Sequence, residues 1–200
     1  MNLVHRRYCR SDHWARTLER AIIPPVLDPV DLGDEVLEIG PGPGRTTDVL
    51  RRRVPRLTSL EIDERLAASL ATRMRGTHVR VVHGDGTAMP FPDASFSGVV
   101  CFTMLHHVPS VALQDRLLAE ACRVLRPGGV LAGSDSAGGT VVFRLLHVHD
   151  TMVLLDPAAL PERLRRAGFD AVRVDGGARV RFRAVRPAAS PDRQTPAGVP

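Results

Sequence analysis

The sequence predicts a doubly wound α/β domain with a mostly parallel sheet and an antiparallel hairpin strand at its C-terminal end. Short β-type runs alternate with helical stretches between residues 35 and 134, which is the pattern of βαβ units. The first β run passes directly into a glycine turn, Gly40-Pro-Gly-Pro-Gly44, that opens a helix. After residue 168 two β-type runs are joined by Asp175-Gly-Gly177, and so tight a turn forces antiparallel pairing. At 200 residues the chain is long enough for one domain with a full core.

Taken in order, residues 1–34 carry Trp14, Leu18, Ile22, Ile23 and Val26, a spacing that predicts an amphipathic helix leading to Pro24-Pro25 and covering one end of the site. Strands are expected at 35–39, 57–62, 79–83, 98–103 and 130–134, with helices at 45–53, 64–74 and 113–125 between them. In the last helix Leu117, Leu118, Ala121, Val124 and Leu125 recur at helical spacing, and Pro127-Gly-Gly129 is expected to end it and turn the chain into the next strand. Residues 84–95 hold two prolines and little helical periodicity, so this crossover is expected to be a short loop. Residues 135–155 read as an insertion or lid over the site. Asp156 is the expected N-cap of a further helix, with Pro157 at its first position, Gly168 closing it, and Leu160, Leu164 and Ala167 as its buried stripe. In the hairpin Arg179, Arg181 and Arg183 alternate with Val180, Phe182 and Ala184, and residues 187–200 have the composition of a disordered tail.

The net charge is +5, all of it from arginine, since the chain has no lysine. The arginines are spread along the chain apart from Arg51-Arg-Arg53 and Arg163-Leu-Arg-Arg166, which read as solvated helix faces, so the distribution argues against a nucleic-acid groove. No apolar run approaches the roughly 20 residues that cross a bilayer. Arg6 and Arg7 are followed by no apolar signal segment, and Cys9, Cys101 and Cys122 are too scattered for a disulfide framework. A cytoplasmic protein with reduced thiols is expected. A homodimer is compatible with the sequence.

The chemistry concentrates at the ends of the expected strands. Gly40, Gly42 and Gly44, with Pro41 between the first two, let backbone approach a ligand and present N–H groups to it. A dinucleotide turn would want glycine where Arg45 stands, so the pyrophosphate version is a poor match. Glu38 would sit badly beside a pyrophosphate and well beside the cationic amino and sulfonium end of S-adenosylmethionine. Glu61 closes the next strand about 20 residues after the glycines, where a carboxylate accepts from both ribose hydroxyls, with Ile62 beside it. Asp63 is the expected N-cap of the following helix. Asp85-Gly86 follows the third strand, where the carboxylate either accepts from an adenine amine or caps its own turn.

Val36 to Gly44, Glu61, Gly84-Asp85 with Met89-Pro-Phe-Pro-Asp-Ala-Ser-Phe96, Val99 to Val108, and Arg123-Val-Leu-Arg-Pro-Gly-Gly129 resemble, in that order, the motifs of class I S-adenosylmethionine-dependent methyltransferases. The resemblance spans about residues 30–186 and implies a Rossmann-like seven-stranded sheet with an antiparallel last strand. The methyltransferase domain is expected at 35–186, with a helical cap at 1–34 and an acceptor-side insertion at 135–155. The resemblance also implies S-adenosylmethionine as cofactor, with contacts from Glu38, Gly40, Gly42, Glu61, Asp85, Gly86 and the strand end at Phe102-Thr103. Ser97 stands where the family often has an acid, and little effect on the cofactor is expected. The stretch from Glu38 to Asp63 also resembles ribosomal-RNA adenine dimethyltransferases, but Cys101-Phe-Thr-Met-Leu-His-His-Val108 replaces the Asn-Leu-Pro-Tyr type motif that holds their target amine. A small-molecule or lipophilic acceptor is therefore the favoured expectation. RNA methylation, a non-catalytic adenosylmethionine-binding role and a nicotinamide oxidoreductase stand as rivals.

Methyl transfer needs positioning first and a base only for some acceptors. His106 and His107 follow the fourth strand, and His106 is the candidate base. His147, His149 and Asp150 lack the spacing of a metal site and read as polar residues in an apolar insertion, so no metal is expected. Tyr8 and Trp14 belong either to the acceptor site or to the core.

Overall fold

The computed structural model describes residues 7–137 and 152–188. Its centre is a seven-stranded sheet in the order β3-β2-β1-β4-β5-β7-β6. The strands are β1 (Glu35–Ile39), β2 (Arg56–Glu61), β3 (Val79–His83), β4 (Phe96–Phe102), β5 (Leu125–Ser136), β6 (Asp170–Asp175) and β7 (Arg179–Val185). The pairs from β3 through β5 are parallel, whereas β7 runs antiparallel to both β5 and β6. The expected hairpin is therefore present, and its second strand is the one inserted against β5.

Strands at the middle of this sheet are covered on both faces, which is why Val36 to Ile39 and Val99 to Phe102 are continuously buried. On one face Leu37, Ile39, Val99 and Leu131 pack with α5 (Val111–Val124) and α6 (Leu160–Arg166). On the other, Val36, Leu57 and Val100 pack with α3 (Arg45–Leu50), α4 (Glu64–Arg73) and the N-terminal helices. Asp63 caps α4 as expected, its carboxylate accepting from Leu66 N at 3.0 Å.

Several boundaries differ from expectation. The N-terminal segment is not one helix: α1 (Asp12–Thr17) widens into a π-helical turn (Leu18–Ile22), and Pro24 opens a separate α2 (Pro24–Leu27). Pro24 and Pro25 have no N–H to donate, so the helix loosens, Ile23 N reaching back to Leu18 O at 3.0 Å, and restarts with proline where a missing donor costs nothing. Pro127-Gly-Gly129 lies inside β5 rather than before it, as a bulge where the register with β4 shifts. Helix α6 begins at Leu160, not Pro157, because Asp156 uses its carboxylate on Ala158 N and holds a preceding turn. Gly168 does close it, at φ 99°, with Gly168 N on Arg165 O and Phe169 N on Leu164 O.

Residues 84–95 form the expected loop, and it supplies core in place of a helix. Met89 and Phe91 are buried, Phe91 meeting Phe96 edge to face at 5.1 Å. Arg123 of α5 ties the loop down through Phe91 O at 2.9 Å, Met89 O at 3.1 Å and Asp93 at 2.7 Å. Ser97 belongs to the opposite end from the strand tips, where its hydroxyl accepts from Glu35 N and donates to Leu32 O.

The second arginine cluster corrects the sequence reading. Arg163 is not on a solvated face: it is buried, its Nε on Asp115 at 2.6 Å and its Nη2 on Gln114 at 2.9 Å, joining α6 to α5. Arg52 and Arg53 are exposed as expected and pair with Glu19 and Asp28 of the N-terminal segment. Most of the 135–155 insertion, including His147, His149 and Asp150, and the tail from 189 onward lie outside the described residues.

Candidate functional site

The candidate site lies along the C-terminal ends of β2, β1, β4 and β5. At the end of β1 the chain turns through Gly40, Gly42 and Gly44, at φ 66°, 55° and 82°, and Gly40 N is anchored to Leu60 O at 2.9 Å. Gly42 and Gly44 need glycine for different reasons. A β-carbon on Gly42 would meet nothing within 4 Å, so this residue borders open space. One on Gly44 would collide with Leu70 and Arg73 of α4, so the third glycine serves close helix packing. The Gly42 N–H expected to face a ligand is instead donated to Glu61 Oε2 at 2.8 Å.

Two carboxylates flank this turn. Glu38 is 1% exposed, and its Oε2 accepts from Thr47 Oγ1 at 2.6 Å and Ser59 Oγ at 2.7 Å. Its Oε1 is buried with no hydrogen-bond partner among the described residues. Burial pushes this carboxyl up to about 7, hydrogen bonds from Thr47 and Ser59 only partly offsetting it. Glu61, at the end of β2, holds Gly42 N through one oxygen and Asp63 N at 3.0 Å through the other. Ile62 beside it is 65% exposed, an unusual place for so large an apolar side chain at a strand end. Asp85 caps its own turn, one oxygen accepting from Thr87 N at 2.8 Å, and is otherwise exposed. Gly86 packs against Ile39 and Leu117.

These residues fit S-adenosylmethionine. A buried carboxylate oxygen without a donor suits an ammonium, the open side of Gly42 admits a ligand against backbone, and exposed Ile62 offers an apolar face to a base. Glu38, Glu61 and Asp85 stand on three successive strand ends, and the register Glu38↔Ser59 and Glu61↔His83 keeps them in line.

Beyond β4, Phe102 is buried in the core while Thr103 takes φ 54°, which a β-branched residue rarely adopts. Its N–H on Ser134 O at 2.8 Å holds the kink, and the chain then lays Met104 against Gly40. His106 follows in a 3-10 turn (Leu105–His107) and is 2% exposed. Its Nδ1 lies 2.5 Å from Asp135 Oδ1, and its N–H donates to Asp135 Oδ2 at 3.2 Å. Burial pushes Asp135 up, but His106 and the backbone donors of Ser136 and His106 outweigh it and hold the carboxyl below its ordinary value. Gln114, fully buried, donates to Leu105 O at 3.0 Å and Val153 O at 2.8 Å, while Val153 N reaches His106 O at 2.8 Å. The histidine is thus fixed from three elements.

Sequence reasoning missed Asp135, Met104, Ser59, Thr47 and Gln114. An acid at the end of the fifth strand, next to a strand followed by histidine, was the available signal for Asp135. The rings of Tyr8 and Trp14 meet tilted at 44°, centroids 5.4 Å apart, with Trp14 packed on the second core.

An α/β sheet of this order, with an acid–glycine turn after β1 and acids after β2 and β3, defines a methyltransferase domain. A methyltransferase domain family model matches residues 37–133. The chain belongs to the class I S-adenosylmethionine-dependent methyltransferases. It is 34% identical over 144 residues to a "Probable S-adenosylmethionine-dependent methyltransferase" of Mycolicibacterium smegmatis, covering 69% of this chain and 52% of that one. It is 30% identical over 127 residues to demethylmenaquinone methyltransferase of Tropheryma whipplei, covering 62% and 48%. The chain thus spans about half the length of these relatives. A solved S-adenosylmethionine-dependent methyltransferase from Thermotoga maritima shares the fold, with a TM-score of 0.70 at 20% identity over 92% of this chain and 98% of that one. Among the described residues no helix is long and apolar enough to cross a membrane.

Proposed function

We propose that this protein transfers a methyl group from S-adenosylmethionine to a small-molecule or lipophilic acceptor. The observation that carries the reading is the pair of carboxylates, Glu38 and Glu61, flanking a glycine turn whose Gly42 opens to space. Glu38 would hold the amino group through Oε1, Glu61 the ribose hydroxyls, Ile62 and Asp85 the adenine, with Gly40, Pro41, Gly42, Gly86, Phe102 and Thr103 shaping the cleft. Gly44 shapes it from behind, by seating α4. Bound S-adenosylmethionine supplies a methyl group activated on a sulfonium.

His106 is the proposed base. The Nδ1 contact with Asp135 would orient the ring, and Asp135 would stabilise the imidazolium formed when His106 takes the proton of an acceptor O–H or C–H. The acceptor would sit beneath the N-terminal cap, and Val111, Met152 and Leu154 leave further apolar surface exposed on the α5 side of the sheet. The similarity to a demethylmenaquinone methyltransferase supports an acceptor of this kind.

Calorimetric titration with S-adenosylmethionine, S-adenosylhomocysteine and NAD tests the cofactor assignment. We expect micromolar-range binding of the first two, none of NAD, and loss of binding in Glu61→Ala. Tight NAD binding, or a Glu61→Ala protein that binds as well as wild type, overturns it.

A further inference from the structure

The strand inserted against β5 carries three arginines on one face. Val180, Phe182 and Ala184 point into the first core, so Arg179, Arg181 and Arg183 face the N-terminal helices. Arg183 is accounted for by Pro29 O at 3.2 Å. Arg179 and Arg181 are not: among the described residues neither forms an ion pair. Arg179 Nε donates to Ser134 Oγ at 3.2 Å, while its Nη2 is buried with no hydrogen-bond partner among the described residues. Burial holds this guanidinium below its ordinary pKa, the Asp135 charge opposing that effect and Arg181 adding to it. Asp135 does not supply the missing acceptor, since its oxygens are engaged by His106 and by Ser136 N.

Position gives this donor set a purpose. Arg179 stands opposite Ser136 at the C-terminal end of β5, on the opposite face from Asp135, which shares the face of Val180, so the arginine and the His106–Asp135 pair meet only across the end of the sheet. Tyr8 of the N-terminal segment lies within its electrostatic reach. Two guanidinium groups two residues apart, one with a buried donor unused, form the fork that recognises an oxyanion by paired N–H···O bonds. The placement beneath the N-terminal segment, rather than along an open surface, fits a small anion and not a polymer backbone.

We propose that Arg179 and Arg181 form a subsite for an oxyanion, carboxylate or phosphate, carried by the methyl acceptor. This rests on reading the C-terminal sheet edge as the methyl-transfer site. The acceptor would then be an amphiphile, its anionic group on β7 and its reacting atom toward His106.

The test is titration calorimetry of the protein saturated with S-adenosylhomocysteine, using inorganic phosphate in one arm and acetate in the other, with chloride holding ionic strength constant. We expect saturable binding of at least one anion, weakened about tenfold or more in Arg179→Met and Arg181→Met, with S-adenosylhomocysteine affinity unchanged and with Arg173→Gln, an exposed arginine of β6, behaving as wild type. Binding of phosphate alone assigns a phosphate-bearing acceptor, and binding of acetate as well assigns a carboxylate. Heats no larger than the chloride control, or equal weakening by Arg173→Gln, overturn the subsite. Should Arg179→Met not fold, Arg181→Met and the wild-type anion comparison decide. If S-adenosylhomocysteine does not bind while the arginine-dependent anion binding persists, the methyl-transfer reading falls and the anion site stands.

Discussion

At the scale of single residues, Glu38 has the most to lose. Its carboxyl titrates at about 7 in the folded chain against 4.5 ordinarily. Between those values the native state holds a proton that the unfolded chain has released, so its contribution to stability falls as pH rises from about 4.5 to about 7 and is level above. In Glu38→Gln that segment of the stability profile is expected to flatten, measured by urea unfolding at a series of pH values. A cation placed at Oε1 draws the proton off, so cofactor binding near pH 6 is expected to release a proton in wild type and none in Glu38→Gln, read as a buffer-dependent binding enthalpy. The glycines separate in the same way. Gly42→Ala is expected to cost about 1 kcal/mol of stability, because only its φ is unfavourable, and to weaken S-adenosylhomocysteine binding at least tenfold. Gly44→Ala must displace Leu70 and is expected to cost about 2–3 kcal/mol with a smaller effect on affinity once folded. The carboxylate beside the turn was legible in the sequence. Its partners were not, because Ser59 reaches Glu38 only through the β1–β2 register and Thr47 only through the way α3 folds back.

At the scale of elements, sequence periodicity located every strand of the sheet and missed what crosses between helices. The run Arg163 to Arg166 has the look of a solvated face, and Arg165 and Arg166 are one; Arg163 is buried because Asp115 and Gln114 on α5 meet it, a pairing 48 and 49 residues distant along the chain. Removing it leaves Gln114 short of a donor beside the His106 turn. Arg163→Ala is therefore expected to destabilise the fold by about 2–4 kcal/mol, and Arg163→Lys to recover only part of that, since an ammonium has no fork. The loop at 84–95 depends on α5 too. Without Arg123, the carbonyls of Met89 and Phe91 lose their donor, and Arg123→Met is expected to speed amide exchange in this loop well before global unfolding. Its lack of helix was readable from two prolines, whereas its role as core depends on contacts of Met89 and Phe91 that no local pattern encodes.

At the scale of the whole molecule, the sheet order places the final strand inside the sheet and the penultimate one at its edge. Each of the parallel strands β1 to β5 has its neighbours before residue 137, except that β5 has one side vacant until β7 arrives. For a chain emerging from the ribosome this means an open, twelve-residue β edge, with the β1 to β4 half already assembled, until residue 185 is free to fold. A chain ended after Gly177 is expected to aggregate during expression, with soluble yield as the measure, while one ended after Ala188 is expected to remain soluble. The hairpin turn at 175–178, by holding β6 and β7 together, shortens the interval in which that edge can meet a stranger.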